Sequence, residues 1–447
     1  MKYNKTYGID STFIHSFFDP GKETSMKAYR RLGAIAVSLA ILLTACQEGS
    51  STKNSSSSIS NKESEMTSVE NTSKETEATK ESDKEEVEET KNPYEMIIPE
   101  AKIWSTEDLS DENFSLKGVE KVETIGLITG DGSPNMTRTR FRVGGTDLGI
   151  PVIHNDKLYL WFGDTFWGDS QGHPMAGGLW RSNVLAISDD KDFSDGLEIS
   201  DMIGNKSGST KVAMELLSSK KRPGNENTVI PTGSVSIDGK LYVYFMSVKE
   251  WGKPGHWTIN YGGLAVSEDD GESFKKLDNV SLDPDKFGQV AAIIKDDYVY
   301  GVGIGGGRYG NAYLMRVKQD QIENTEAYEY LSGKNNGEPE FSANVENAIP
   351  IIEDTVGEPS IMWNEYLQEY VITYLQEPAH GIIMRSAKEL WGDYSSDLLI
   401  AHSDDFTALY GGFVHEVMTE EDGKVFYYIM SMWDPVYNSI LMKVTLK

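Results

Sequence analysis

Three acids stand out by where they fall in the chain. Asp147 lies between Gly145 and Gly149, ahead of a strand-like apolar run. Asp164 follows the apolar run Leu158–Phe162, inside Phe162-Gly163-Asp164-Thr165-Phe166-Trp167-Gly168. Glu358 begins another such run, directly before Pro359. Carboxylates at strand ends, with Trp161, Trp167, Trp180, Trp363 and Trp433 in the same segments, suit glycoside chemistry. One acid protonates the leaving oxygen, and a carboxylate activates water or attacks the anomeric carbon. Aromatic faces stack on sugar rings. The expected division makes Asp147 the base or nucleophile and Asp164 the acid, with Glu358 as an alternative acid. Trp167, Arg181, Asn183, Arg385, His415 and Trp433 are the candidate substrate-binding residues.

Each of these residues has a plainer reading. Asp147 caps a turn between two glycines, Asp164 closes a strand–turn hydrogen bond, and Glu358 is a solvated loop residue. His415 is structural, most of the tryptophans pack the core, and Arg181 and Arg385 pair with acids at the rim.

Other chemistries find little support. No His and Cys cluster has zinc-ligand spacing. Gly303-Ile304-Gly305-Gly306-Gly307 lacks the Lys-Ser/Thr of a phosphate loop. No G-x-S-x-G elbow is present. No cofactor is expected, and a calcium ion in an acidic funnel has no EF-hand-like spacing behind it. The 42 Lys and Arg against 70 Asp and Glu give a net charge of −28, which tells against a nucleic-acid partner.

The elements that must position the acids are short alternating strands joined by Gly, Asn and Asp turns, from residue 119 onward. One unit recurs five times: a small-residue strand, a turn, then a strand rich in Tyr, Trp and Phe. The copies start at Gly145, Pro231, Phe287, Val356 and Tyr410. Asp147, Gly233, Gln289, Glu358 and His415 occupy equivalent places in them. Most copies continue into a third strand. The expected fold is therefore all-β, a five-bladed β-propeller over residues 119–447. The last unit runs short, and the lone strand at 119–127 is placed to complete it and close the ring. Ser267-Glu268-Asp269-Asp270-Gly271-Glu272-Ser273-Phe274 matches the Asp-box hairpin of propeller blades, in which the Asp side chain ties down turn amides. A closed ring leaves no edge needing a partner, so a monomer is expected.

The front of the chain reads differently. A basic stretch from Met26 to Arg31 precedes a 12-residue apolar run, Leu32–Leu43, and then Leu43-Thr44-Ala45-Cys46. This is the pattern of a bacterial lipoprotein signal, with Cys46 as the lipidated residue. Cys46 is the chain's single cysteine. Residues 1–46 are read as the signal region. Residues 47–92, rich in Ser, Thr, Glu and Lys, are read as a disordered tether that cannot bury enough apolar surface to order itself. Residues 93–118 form an irregular lead-in with room for a short helix. The expected location is the cell surface of a Gram-positive bacterium, lipid-anchored to the membrane.

The run Gly145–Gly168, GTDLGIPVIHNDKLYLWFGDTFWG, followed by WRSNVLAIS from Trp180, resembles the opening of domain-of-unknown-function family 4185 (DUF4185). The segments VGEPSIMWNEYLQEYVITYL, IIMRSA and YGGFVHE are similar to its later blades. The resemblance implies a five-bladed propeller. Part of that family is classified in glycoside hydrolase family 183, endo-acting D-arabinanases of mycobacterial walls. By the resemblance, Asp147 and Asp164 fall on acidic positions of the opening motif, and Glu358 on an acid of the fourth blade. The leading expectation is a glycoside hydrolase for an arabinan-like or cell-wall polysaccharide. The alternatives are a non-catalytic glycan-binding or adhesion lipoprotein using the same cleft, and a scaffold whose rim recruits another surface protein.

Overall fold

Alternating apolar runs joined by Asn, Asp and Gly turns fold as antiparallel strands in the computed structural model, which describes residues 98–168 and 178–447. The strands form five blades around a central channel. Blade I is Leu148–His154, Lys157–Phe162, Val184–Ser188 and Asp201–Met202. Blade II is Thr228–Ile237, Lys240–Trp251, Trp257–Ser267 and Lys275–Leu282. Blade III is Gln289–Lys295, Tyr298–Ile304, Gly310–Lys318 and Glu329–Asn335, extended by Glu338–Ser342. Blade IV is Pro350–Asn364, Glu369–Gln376, Gly381–Ala387 and Leu398–His402. The long strand Pro350–Asn364 pairs with Gly310–Lys318 through its first half before joining blade IV, so blades III and IV share one hydrogen-bonded sheet.

Blade V is Leu409–Glu420, Val425–Met432 and Asn438–Leu446, completed by Val119–Leu127 from the front of the domain. Val119 faces Leu446 and Leu127 faces Ile440 in an antiparallel ladder. This is the ring closure expected from the short last unit. It leaves neither end of the propeller as an open edge.

The second strand of each blade is the most apolar because neighbouring blades cover both its faces. Leu160, Trp161 and Phe162 of blade I are fully buried, as are Phe426 to Met430 of blade V. Aromatic bulk fills the wedge between blades; the Trp161 ring, for example, meets Phe274 edge-on at 4.9 Å. The Asp-box hairpin forms as its sequence predicts. Asp269 accepts from the Ser273 amide at 2.9 Å and from its hydroxyl at 2.6 Å.

Residues 98–118 run without a helix across the outside of the domain, so the short helix allowed for in the lead-in does not form among them. The Trp104 indole stacks on His402 and donates to Asp405 at 2.7 Å. Cys46 and the Ser/Glu/Lys-rich segment lie outside the described residues. No helix among the described residues is long and apolar enough to cross a membrane.

Candidate functional site

The inner strand of each blade starts at one mouth of the channel, and four of the five start irregularly. Register shifts fall between Leu148 and Ile150, Pro231 and Gly233, Gly357 and Ser360, and Gly411 and Phe413. The inner strand of blade III, from Gln289, pairs without a shift. A bulge bends a strand and re-aims its side chains, a recurrent device beside active sites. Here it coincides with left-handed backbone. Leu148 has φ 69 and Gly149 φ 102, directly after Asp147, and Glu358 itself has φ 39. Such a conformation is strained for a non-glycine residue and persists only where the surroundings impose it. At Gly357 a Cβ would lie 2.9 Å from Arg308 Cγ, so glycine there makes room for the arginine that holds Glu358.

The bulges bring the three acids into one network. The Tyr410 hydroxyl, from the start of blade V, donates to Asp147 Oδ2 at 2.9 Å. Asp147 Oδ1 is buried against Gly163 and has no hydrogen-bond partner within the protein. The Tyr437 hydroxyl donates to the Asp164 carbonyl at 2.9 Å. Asp164 Oδ1 accepts from Thr228 at 2.6 Å and from the Trp180 indole at 2.8 Å. On the other side, Arg308 grips Glu358 through Nη2 at 2.8 Å and Nε at 2.9 and 3.0 Å. The same guanidinium lies 4.9 Å from the Tyr410 ring centre and 3.5 Å from Glu377. Tyr437 also interacts with the Asp147 carboxyl, so the network runs from Asp164 through Tyr437, Asp147, Tyr410 and Arg308 to Glu358.

Electrostatics separate the acids. Burial, then the charge of Asp164 and, more weakly, that of Glu358, push Asp147 up to about 7. Burial pushes Asp164 up to about 6, against the hydrogen bonds from Thr228 and Trp180. Burial also raises Glu358, and the Arg308 charge opposes it. The carboxyl with most reason to keep a proton near neutral pH is therefore Asp147, and Asp164 gives up its proton at lower pH.

The plainer readings of these acids are thereby weakened: Glu358 is buried and ion-paired, and Asp147 is joined to the other two. The expected binding residues divide. Trp433 meets Tyr437 edge-on at 5.1 Å, and Trp167 is exposed at the rim under the Arg142 guanidinium. Both belong to the mouth. Arg181 and Asn183 correct their expectation. Arg181 is buried and donates to the carbonyls of Ala213 and Arg142. Asn183 is fully buried and bonds to the backbone of Leu216, Leu217 and Val229. Both hold loops beneath the floor: the Asn183 amide is fully used by backbone partners, and the one Arg181 nitrogen without a partner, Nε, is buried. Arg385 is another correction: it pairs with Asp354 at 3.0 Å and Asp397 at 2.5 Å within blade IV. His415 lines the channel below the acids, beside Glu416, and burial lowers it to about 4, so it is neutral.

The sequence reading missed Arg308, Tyr410 and Tyr437. Tyr410 had a signal, because Tyr410-Gly411-Gly412 heads the fifth repeat as Asp147-Leu148-Gly149 heads the first strand of blade I. Among the described residues no group of three or more His, Cys, Asp or Glu is arranged to hold a metal ion.

Comparison with known proteins agrees with the fold. The pattern of the domain of unknown function DUF4185 matches residues 132–443. The chain belongs to that family. No curated protein matches DUF4185's member here by sequence. Among solved structures, a candidate hydrolase from Bacteroides ovatus superposes with a TM-score of 0.50 at 12% identity, covering 69% of this chain and 87% of that one. A family 117 glycoside hydrolase from Zobellia galactanivorans gives 0.43 at 11% identity, over 74% and 91%. The catalytic domain of a family 62 α-L-arabinofuranosidase from Coprinopsis cinerea gives 0.42 at 11%, over 74% and 98%. At 12% identity the superposition at 0.50 is a likeness of fold alone.

Proposed function

We propose that this DUF4185 protein is a glycoside hydrolase that cleaves a furanose-containing, arabinan-like or cell-wall polysaccharide at the bulged mouth of the propeller. The observation that carries the reading is the linked set Asp147, Asp164 and Glu358, gathered at one mouth through Tyr410, Tyr437 and Arg308, with burial raising all three carboxyls. Asp147 acts as general acid and protonates the departing glycosidic oxygen. Asp164 is the carboxylate that activates water or attacks the anomeric carbon. This reverses the division expected from sequence, because the charge of Asp164 is itself a cause of the high Asp147 value. Glu358, fixed by Arg308, supplies a stationary negative charge opposite a cationic transition state. Trp167 and Trp433 offer apolar faces at the rim. Lipidation at Cys46 and the tether to residue 92 would hold the domain at the outer surface of the membrane, within reach of the wall.

The test is a hydrolysis screen. Full-length protein and its Asp147→Asn variant are incubated with D-arabinan, L-arabinan, galactan and whole Gram-positive wall glycan, and released oligosaccharides are separated by chromatography. Products from the wild type alone support the reading and name the substrate class. No products from either protein, with the polymers still retained, would replace it with a glycan-binding role.

A further inference from the structure

The hairpin between the second and third strands of blade II reaches over to blade III and locks against the loop 305–309. The Arg308 amide donates to the Gly255 carbonyl at 2.9 Å, and the tip closes on itself through Gly252 and His256. Two glycines permit the contact. A Cβ on Gly255, which has φ +72, would stand 2.8 Å from the Tyr309 ring. One on Gly307, at φ +85, would stand 2.7 Å from the Gly255 carbonyl. The outcome is a flat double ring: His256 and Tyr309 stack in parallel, with centroids 4.3 Å apart and planes 7° apart. Tyr309 remains 47% exposed, the most exposed large apolar side chain among the described residues. Beside it, Glu377 is partly open and lies 3.5 Å from Arg308.

A large aromatic face left in water, on a loop held this firmly, gains nothing for the fold by its exposure. Its sequence neighbour Arg308 grips Glu358, so the platform is fixed relative to the acids. A flat ring with an adjacent carboxylate matches the two surfaces of a sugar, its C–H face and its hydroxyl edge. We infer that His256, Tyr309 and Glu377 form an outer subsite that binds an uncharged sugar ring of the polysaccharide, away from the bond that is cleaved. Tyr309 and His256 carry the ring by stacking, and Glu377 accepts hydrogen bonds from neighbouring hydroxyls. The negative charge of Glu377 disfavours an acidic sugar there. The inference rests on the glycan reading of the same cleft.

The experiment separates the two. In full-length protein carrying Asp147→Asn, migration is measured in native gels containing D-arabinan, L-arabinan, galactan or solubilised wall glycan. Tyr309→Ala is expected to weaken retention by the retarding polymer about five- to tenfold. His256→Ala should weaken it less, and Tyr309→Trp should keep it. Equal retention by Asp147→Asn with and without Tyr309→Ala overturns the subsite. So does loss of retention in Tyr309→Trp as complete as in Tyr309→Ala, or failure of every polymer to retard Asp147→Asn. Wild-type hydrolysis with retention unchanged across the variants would leave the hydrolase standing without the subsite. Retention that depends on Tyr309, without hydrolysis by the wild type, would leave the subsite and remove the hydrolase.

Discussion

The same five inner strands build both ends of the channel, and the two ends differ. At the upper mouth the strands are bulged, two non-glycine residues hold left-handed backbone, and three acids sit in a network of tyrosines and an arginine. Below, four of the five strands run in regular pleat around a cavity of about 230 Å³, lined by residues such as Val152, Val235, Ile293, Met362 and Val414, and the blade V strand shifts register again between Val414 and Thr419. The polar residue His415 is neutral there because burial disfavours its charged form. A regular pleat sends alternate side chains to the neighbouring strands and the channel, giving a packed lining. At the upper mouth the bulges interrupt that alternation in four of the five inner strands, and left-handed backbone falls within the inner strands at Leu148 and Glu358; at the lower end it falls in hairpin turns such as Asn155-Asp156 and Asp238.

The comparison breaks first if chemistry is not confined to the upper mouth. Asp147→Asn and Asp164→Asn should each lower turnover by about a thousandfold. His415→Ala, at the lower level, should leave turnover within about twofold. A large loss in His415→Ala would put the working groups at the wrong end.

The next effect is on stability. Arg308→Met strands the buried Glu358 carboxylate, and the denaturation midpoint should report a loss of about 3 kcal/mol. Lys240 and Glu268 pair at 2.5 Å on the lower surface, with both side chains open to water in part. Lys240→Met should leave the midpoint unmoved.

Glycine substitutions sharpen the same contrast. At Gly149 a Cβ would stand 2.7 Å from Ile429 Cγ2 on backbone at φ +102, so Gly149→Ala should cost about 2 kcal/mol. Gly239, in a lower hairpin turn at φ +75, has open space around it. Gly239→Ala should cost about 1 kcal/mol, from backbone strain alone.

The smallest effect is in the dependence on pH. Asp147 as acid and Asp164 as base give greatest activity between about 6 and 7, falling on both sides. Asp147 is raised in the folded protein from 3.8, so the unfolded chain ionises first. Stability from this group is full below the unfolded value and is lost as pH rises to about 7. Asp147→Asn should remove that loss, raising Tm relative to the wild type by a few degrees above pH 7 and leaving it unchanged near pH 3.

Much of the fold was legible in the chain because propeller blades repeat a local pattern. The Asp269 hairpin and the pairing of residues 119–127 with the last blade both follow from short segments and from the need to cover edges. The meeting of Asp147, Asp164 and Glu358 was legible because each stands at a strand end within two residues of glycine or proline. Arg308 was not, because nothing in Gly303–Gly307 signals that the glycines admit a neighbouring hairpin instead of a phosphate. Arg181 and Asn183 misled for a related reason. Polar residues at a strand start face either the cleft or the loops beneath it, and only the packing of residues 213–229 decides which.

The strand Val119–Leu127 is made early and its partner Asn438–Leu446 last; Thr129 and Asn438, which bond beside this seam, stand 309 residues apart. A chain emerging from a ribosome or a secretion pore in order therefore carries Val119–Leu127 unmatched until residues 438–446 have appeared. During that interval the strand can pair with any passing edge, including one from another nascent copy. Proteolytic clipping ahead of residues 438–446 would remove the strand that Val119–Leu127 pairs with. It would turn a closed ring into an open, adhesive one.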